Sequence, residues 1–259
     1  MSVLDQFKLD GYCSIVTGGA TGLGKAMAKA LAEAGSDIVI SDINFEEAEK
    51  TIGEMKSLGV KAAAVKGDVT IPEDCERVVG FAVKQFGKID VLVNNAGICK
   101  HEKAENMRYE DWLKVINVNL NSVFLMSQAA GQHMIRQRKG SIINISSMSG
   151  IIVNTPQGQC SYNASKGGVI MLTKSLAAEW VKHNIRVNTI APTYMETELL
   201  QELMRTGDKE MIQKWKDLTP MGRFGKPEEM GGMVVYLASE ASSLATGSVF
   251  VLDGGYTIW

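Results

Sequence analysis

Residues 14–31 read Ser14-Ile15-Val16-Thr17-Gly18-Gly19-Ala20-Thr21-Gly22-Leu23-Gly24-Lys25-Ala26-Met27-Ala28-Lys29-Ala30-Leu31. A short apolar run, partly β-branched, gives way to a glycine-rich turn and then to alanine-rich helical periodicity. Strand, turn and helix in that order are the context a dinucleotide-binding glycine motif requires. Glycines let the backbone approach a pyrophosphate, and the helix N-terminus presents free N–H groups and a positive dipole end. Gly18, Thr21, Gly22, Leu23 and Gly24 are therefore the candidate contacts, in a Gly-x-x-x-Gly-x-Gly spacing. Glycine clusters also serve ordinary tight turns, so the motif needs company.

The second strand supplies it. Asp37-Ile38-Val39-Ile40-Ser41-Asp42 is a short apolar run ending in an acid, eighteen residues past Gly24 (42 minus 24). A carboxylate at that point accepts hydrogen bonds from both hydroxyls of an adenosine ribose and repels a 2′-phosphate, which selects NAD over NADP. The competing role for Asp42 is a cap on the helix that begins near Asn44.

The segment Ser161-Tyr162-Asn163-Ala164-Ser165-Lys166 carries the chemistry. On a helix, residues four apart share a face, so the Tyr162 phenol and the Lys166 ammonium project together. A lysine there is expected to stabilise phenolate and draw the tyrosine pKa down from about 10, making Tyr162 a general base. Two surface residues of an amphipathic helix would show the same spacing.

Around these segments the pattern alternates. Helix Phe45 to Leu58 is followed by strand Lys61 to Asp68, a helix opened by Pro72, strand Val91 to Val93 and a long helix from Trp112 to Gln137. Strand Ser141 to Ile145, helix Tyr162 to Lys182, strand Ile185 to Ile190 and strand Ser248 to Leu252 complete it. Apolar strands alternating with helices imply an α/β fold: one Rossmann-type, doubly wound parallel sheet with helices on both faces. The 259 residues, 45% of them hydrophobic, suit a single domain spanning 1–259.

A formal charge of −2 without a basic cluster argues against nucleic acid, and no apolar run reaches the ~20 residues needed to cross a membrane. Cys13, Cys75, Cys99 and Cys160 show no CxxC spacing and are expected to be free buried thiols. With no secretory signal in Met1 to Phe7, a cytoplasmic location is expected. His101, His133 and His183 lack ligand spacing, so no catalytic metal is expected.

Taken together, Thr17-Gly18-xxx-Gly22-x-Gly24, Asn94-Asn95-Ala96-Gly97, Asn119, Ser147, Tyr162-xxx-Lys166 and Pro192 to Thr197 occur in the order and at the intervals of the short-chain dehydrogenase/reductase family, which the chain resembles over its full length. The resemblance implies an NAD-dependent enzyme interconverting a secondary alcohol and a ketone. It places Asp68 and Val69 on adenine, Asn95 and Gly97 beside ribose, Lys166 on the nicotinamide ribose, and Met195 and Thr197 on the carboxamide. Asn94 and Asn117 are read as structural. Tyr162 would take the alcohol proton as hydride leaves for nicotinamide, Ser147 would stabilise the alkoxide, and Asn119 would hold a relay water. Asparagine is a poor helix residue, so a local distortion at Asn119 is expected.

Two departures from the family pattern stand out. Ser149, not Ser147, lies at the usual thirteen residues before tyrosine (162 minus 149), and Thr193 replaces a glycine. The Ile145-Ser146-Ser147 context favours Ser147 for catalysis, with Ser149, Asn154 and Gln159 as candidate contacts to substrate hydroxyls. The loop Ser147 to Asn154 and the Asp253-to-Trp259 ending resemble the polyol and sugar dehydrogenase branch, and residues 196–218 correspond to the family's substrate lid. The alternatives are a ketoacyl or other small-carbonyl reductase and, more remotely, a non-catalytic nicotinamide-binding protein. The resemblance further implies a homotetramer with the last strand, Tyr256 and Trp259 at an interface, and a structural Mg²⁺ at the terminal carboxylate.

Overall fold

In the computed structural model, which describes residues 2–258, seven strands form one sheet. They are β1 (Cys13–Thr17), β2 (Asp37–Asp42), β3 (Ala62–Lys66), β4 (Val91–Asn94), β5 (Gly140–Ile145), β6 (Ile185–Pro192) and β7 (Val249–Leu252). The order is β3-β2-β1-β4-β5-β6-β7 and every neighbouring pair is parallel. The order reverses between β1 and β4. That switch point opens a crevice at the carboxyl ends of the strands.

Both faces of the sheet are covered, which is why its strands read as unbroken apolar runs. Val16, Ile38, Ile40, Val91, Val93 and Ile143 point into one core, beneath helices α1 (Gly22–Glu33), α2 (Phe45–Ser57) and a last helix, Glu229–Ala238. The alternate residues Ile15, Val39, Leu92 and Ile142 enter the other core, beneath α3 (Pro72–Phe86) and the helices that carry the catalytic candidates. Each fully buried aliphatic side chain contributes roughly 1.5–3 kcal/mol relative to exposure.

The helix expected over 112–137 is three pieces: α4 (Tyr109–Ile116), a π turn (Asn117–Asn121) and α5 (Ser122–Gln137). Helix α6 spans Cys160–Trp180 and so begins two residues before Tyr162. Ser161, Ser165, Val169, Thr173 and Ala177 form its buried stripe at four-residue spacing, with Lys166 buried beside them. Tyr162 and Lys166 thus flank the stripe, at the carboxyl end of the sheet. The 196–218 segment folds as α7 (Glu198–Thr206) and α8 (Lys209–Asp217), gathered on their own cluster of Leu200, Ile212, Trp215 and Phe224; Glu229–Ala238 is then α9.

Two expectations need correction, and one competing reading falls away. Cys99 is exposed rather than buried, whereas Cys13 and Cys75 are buried. Tyr256, expected to face another subunit, is turned inward against Tyr194, 6.0 Å between ring centroids. Asp42 does not cap α2; Asn44 does, its side-chain oxygen accepting from the Glu47 N–H at 3.3 Å. Trp259, and with it the proposed Mg²⁺ at the terminal carboxylate, lies outside the described residues. Among the described residues no helix is long and apolar enough to cross a membrane.

Candidate active site

At the mouth of β1 the backbone, not side chains, shapes the surface. Gly18 and Gly22 have φ of 59° and 55°, the left-handed region that glycine enters without a Cβ penalty. A Cβ on Gly24 would stand 2.1 Å from the Gly18 carbonyl oxygen and 2.6 Å from Asn95 Nδ2. The turn is tied to the end of β4 by Asn95, whose Nδ2 donates to the Thr17 and Gly18 carbonyls at 3.0 and 2.9 Å. Its backbone N–H donates to Thr17 Oγ1 at 3.0 Å. Asn95 Nδ2 is therefore spent on the glycine turn, and the residue also lines the cleft. Asn94 bridges strands as expected, donating to Ser127 Oγ and Asn144 Oδ1 at 3.0 and 2.9 Å.

Asp42 sits at the tip of β2 with its two oxygens accepting from the Ala20 and Asn44 N–H groups at 3.1 and 2.9 Å. Those bonds fix the carboxylate in place and leave lone pairs toward the cleft. Asp68 is held similarly: one oxygen accepts from both the Thr70 N–H and hydroxyl, at 2.9 and 2.7 Å. Val69 and Gly97 line the same wall. A Cβ on Gly97 would occupy the space beside Asn119 Oδ1 and Lys166 Nζ, at 3.4 and 3.6 Å. A surface kept free of side chains at a helix N-terminus, with carboxylates at the tips of the next two strands, fits a dinucleotide.

The Ser147–Gly150 loop leaves β5 and lies against α6. Gly150 permits this, since a Cβ there would meet the Lys166 carbonyl at 2.7 Å. The Ser147 hydroxyl lines the cleft with the Tyr162 phenol and favours its ionised form. Its oxygen also accepts from the Ser149 N–H at 3.1 Å, so it caps the short turn it begins. Ser149 is directed elsewhere, accepting from Gln159 Nε2 at 3.2 Å. Lys166 Nζ lies 5.6 Å from the centre of the Tyr162 ring and donates to the Ile145 carbonyl at 2.8 Å.

The electrostatics of this pair differ from expectation. Burial pushes the Tyr162 phenol up to about 12, opposed by its bond to Ser147. Burial also pulls the Lys166 ammonium down to about 8. For both groups desolvation of the charged form is the largest influence.

Asn119 lies within the π turn, so the distortion anticipated there is present. Both of its donors are engaged: Nδ2 donates to the Ile98 carbonyl and Ser165 Oγ at 2.8 and 3.1 Å, while Oδ1 accepts from the Ile98 N–H at 2.8 Å. Thr197 Oγ1 accepts from the Leu200 N–H at 3.4 Å and so caps α7, while its methyl lies over Gly22. Met195 is buried and pairs with Gly225. Thr193, in the glycine position of the family pattern, introduces no strain: Arg138 and Asn184 are the described non-glycine residues with positive φ.

Gln157, Tyr194 and Trp215, which join Asn154 in one polar wall, escaped the sequence reading. Trp215, 1% exposed, donates from Nε1 to Gln157 Oε1 at 2.9 Å. Gln157 Nε2 donates to the Tyr194 hydroxyl at 2.9 Å, and Asn154 Nδ2 meets the same hydroxyl at 3.1 Å. Tyr194 stacks on Trp215 with centroids 4.2 Å apart. A tryptophan within the Lys- and Glu-rich 196–218 segment was the available signal. Trp215, Tyr194 and Asn154, with Cys99, His101, Ser149 and Gln159, close one end of a cleft of about 1690 Å³ whose other end is the glycine turn. That volume exceeds an ordinary ligand pocket of ~300–1,000 Å³ and accommodates a dinucleotide and a small substrate together.

A doubly wound sheet with a glycine turn at its switch point, and a Ser, Tyr and Lys set deeper in the same crevice, defines a dinucleotide-dependent oxidoreductase. The chain belongs to the short-chain dehydrogenase/reductase family. A family model described as enoyl-(acyl carrier protein) reductase matches residues 18–257. Galactitol 2-dehydrogenase from Rhizobium johnstonii is 41% identical over 100% of both chains. The crystal structure of gox2181 superposes with a TM-score of 0.97 at 44% identity, covering 100% of both chains. A gluconate 5-dehydrogenase from Burkholderia cenocepacia, solved with NADP and tartrate, gives 0.93 at 36% identity, again over 100% of both. The protein is an enzyme of nicotinamide-linked oxidoreduction between alcohol and carbonyl groups.

Proposed function

We propose that the enzyme uses NAD to interconvert a secondary alcohol and a ketone on a polyol or sugar derivative. The observation that carries this is the Ser147–Tyr162 contact at the foot of a pocket walled by Ser149, Asn154, Gln159 and Tyr194. An acyl-carrier substrate would call for an apolar trough there.

The bound nicotinamide supplies the hydride acceptor. Tyr162 reacts as phenolate, the form that the Lys166 charge favours against the effect of burial, and receives the alcohol proton, while Ser147 hydrogen-bonds the oxygen as negative charge develops on it. Lys166 supplies positive charge behind the phenol and reaches toward the nucleotide ribose from its place beside Gly97. The glycine turn, with Thr21 and Leu23, holds the pyrophosphate at the N-terminus of α1. Asp42 takes the adenosine ribose, Asp68 and Val69 the adenine, and Met195 and Thr197 the carboxamide end. Because both Asn119 Nδ2 protons are spent on Ile98 and Ser165, the relay water beyond Lys166 is held by main-chain carbonyls that the π turn at Asn119 leaves free, and the proton passes through Lys166 and that water. Helices α7 and α8 act as the lid.

Ser147→Ala should lower turnover roughly ten- to a thousandfold, as does loss of one oxyanion donor, and by more than Ser149→Ala. The reverse order in steady-state kinetics would move the catalytic role to Ser149.

NADH formation from a panel of polyols, sugar acids and hydroxyacyl compounds tests the assignment. Polyols should be turned over with NAD in preference to NADP. Asp42→Ala should relax that preference, and it should also weaken NAD binding because the carboxylate braces Ala20 in the glycine turn. Equal wild-type efficiency with NADP would contradict the role given to Asp42.

Assembly as a homotetramer accords with the apolar side chains exposed along the helices, Tyr109, Phe124 and Met171, and with the open edge of β7, where Val251 is 40% exposed. Four free thiols accord with a cytoplasmic setting.

A further inference from the structure

At the substrate end of the cleft the polar groups are neutral. Ser147, Ser149, Asn154, Gln159, Thr193 and Tyr194 carry hydroxyls and amides, and the His101 imidazole is held below its usual pKa by partial burial of its ring. Lys166 lies behind Tyr162 with one N–H on the Ile145 carbonyl and its others on the side of the nucleotide ribose, away from this wall. The other charged residues away from the nucleotide end, Lys100, Lys114, Glu110 and Glu198, are exposed on the rim and balance in sign.

Two polar atoms within this wall have no partner among the described residues. Asn154 is 3% exposed, with one end of its amide spent on Tyr194 and the other, Oδ1, unpaired. Thr193 Oγ1 is likewise buried and unpaired. Neither can be left so without cost, because a buried polar group without a partner loses its hydration and gains nothing. The polarity of the chain leading to Asn154 starts from Trp215, whose indole is a donor only, and this orients Gln157 to donate onward to Tyr194. An alcohol hydroxyl, being donor and acceptor at once, satisfies the free end of the Asn154 amide in either orientation. A carboxylate only accepts, and it would bring a charge into a wall with no buried cation to receive it.

We propose that this pocket selects a neutral polyol and its ketose over the sugar acid of the same configuration, with Asn154 and Thr193 binding hydroxyls beyond the reacting carbon. The inference rests on the alcohol–ketone reading above and narrows it.

The test compares kcat/KM, at saturating NAD, for a six-carbon polyol and the aldonate of matching configuration. The polyol should be favoured by about tenfold or more. Asn154→Ala should raise the polyol KM about tenfold, by a larger factor than it lowers kcat. Thr193→Val should do the same, and Thr193→Ser, which keeps the hydroxyl, should recover most of the loss; the Thr193 pair decides the matter should Asn154→Ala fail to fold. An aldonate used as well as the polyol, or a polyol KM untouched by both substitutions, overturns this inference and leaves the oxidoreductase reading standing. Oxidation of hydroxyacyl compounds with both sugar derivatives inert overturns both.

Discussion

Tyr162→Phe should reduce turnover by about a thousandfold or more while the protein continues to bind NAD. The phenol is the acid–base group within reach of Ser147, and a positioned general acid or base contributes some 10²–10⁴-fold. The substitution removes one oxygen and keeps the ring that packs beside Lys166, so the fold and the glycine turn, at the other end of the cleft, are undisturbed. NAD affinity by fluorescence titration, set beside steady-state rates on the same preparation, separates the two effects. Substantial turnover by the variant would assign proton transfer to another group.

Gly24→Ala should be the most damaging small substitution in the nucleotide end. The added methyl would lie 2.1 Å from the Gly18 carbonyl oxygen and 2.6 Å from Asn95 Nδ2, both part of the network that ties the turn to β4. Overpacking of this kind typically costs about 1–3 kcal/mol, and the collision is with backbone, which cannot swing aside. Lower thermal stability and weaker NAD binding should appear together. Gly80→Ala is the control: Gly80 lies within α3 with open space where its Cβ would stand. Alanine there should stabilise by roughly 0.5–1 kcal/mol through helix propensity. If Gly24→Ala melts like the wild type and binds NAD equally well, close packing of the turn is not what the glycine is for.

How far the sequence disclosed the molecule depended on the range of the interaction involved. The strands were legible because burial on both faces leaves a run such as Ile38-Val39-Ile40 apolar throughout, and alternation with helices implied a parallel sheet; the strand order, with its reversal between β1 and β4, came from the fold. Asn119 was legible as a distortion because asparagine interrupts an otherwise good helical pattern, and a π turn is there. The division of labour between Asn94 and Asn95 was only half legible. Asn94 proved structural, but Asn95 also spends its amide on structure, which depends on the approach of β1 to β4. The Tyr162 pKa was misjudged because helical spacing shows a neighbouring charge and not the loss of solvent; only the packed fold shows burial prevailing. The Trp215–Gln157–Tyr194 chain was invisible for a related reason, since it joins residues up to 58 positions apart that no local pattern relates.

Transfer of hydride from a secondary carbon can be followed directly with a polyol deuterated at its secondary carbons. Incubation with the enzyme and NAD, followed by mass spectrometry of the reduced nucleotide and of the sugar product, is the decisive measurement. Deuterium in the NADH together with formation of a ketose is the predicted result. Unlabelled NADH with an aldehyde as product, or no NADH from any polyol, would contradict the assignment of this cleft to secondary-alcohol oxidation.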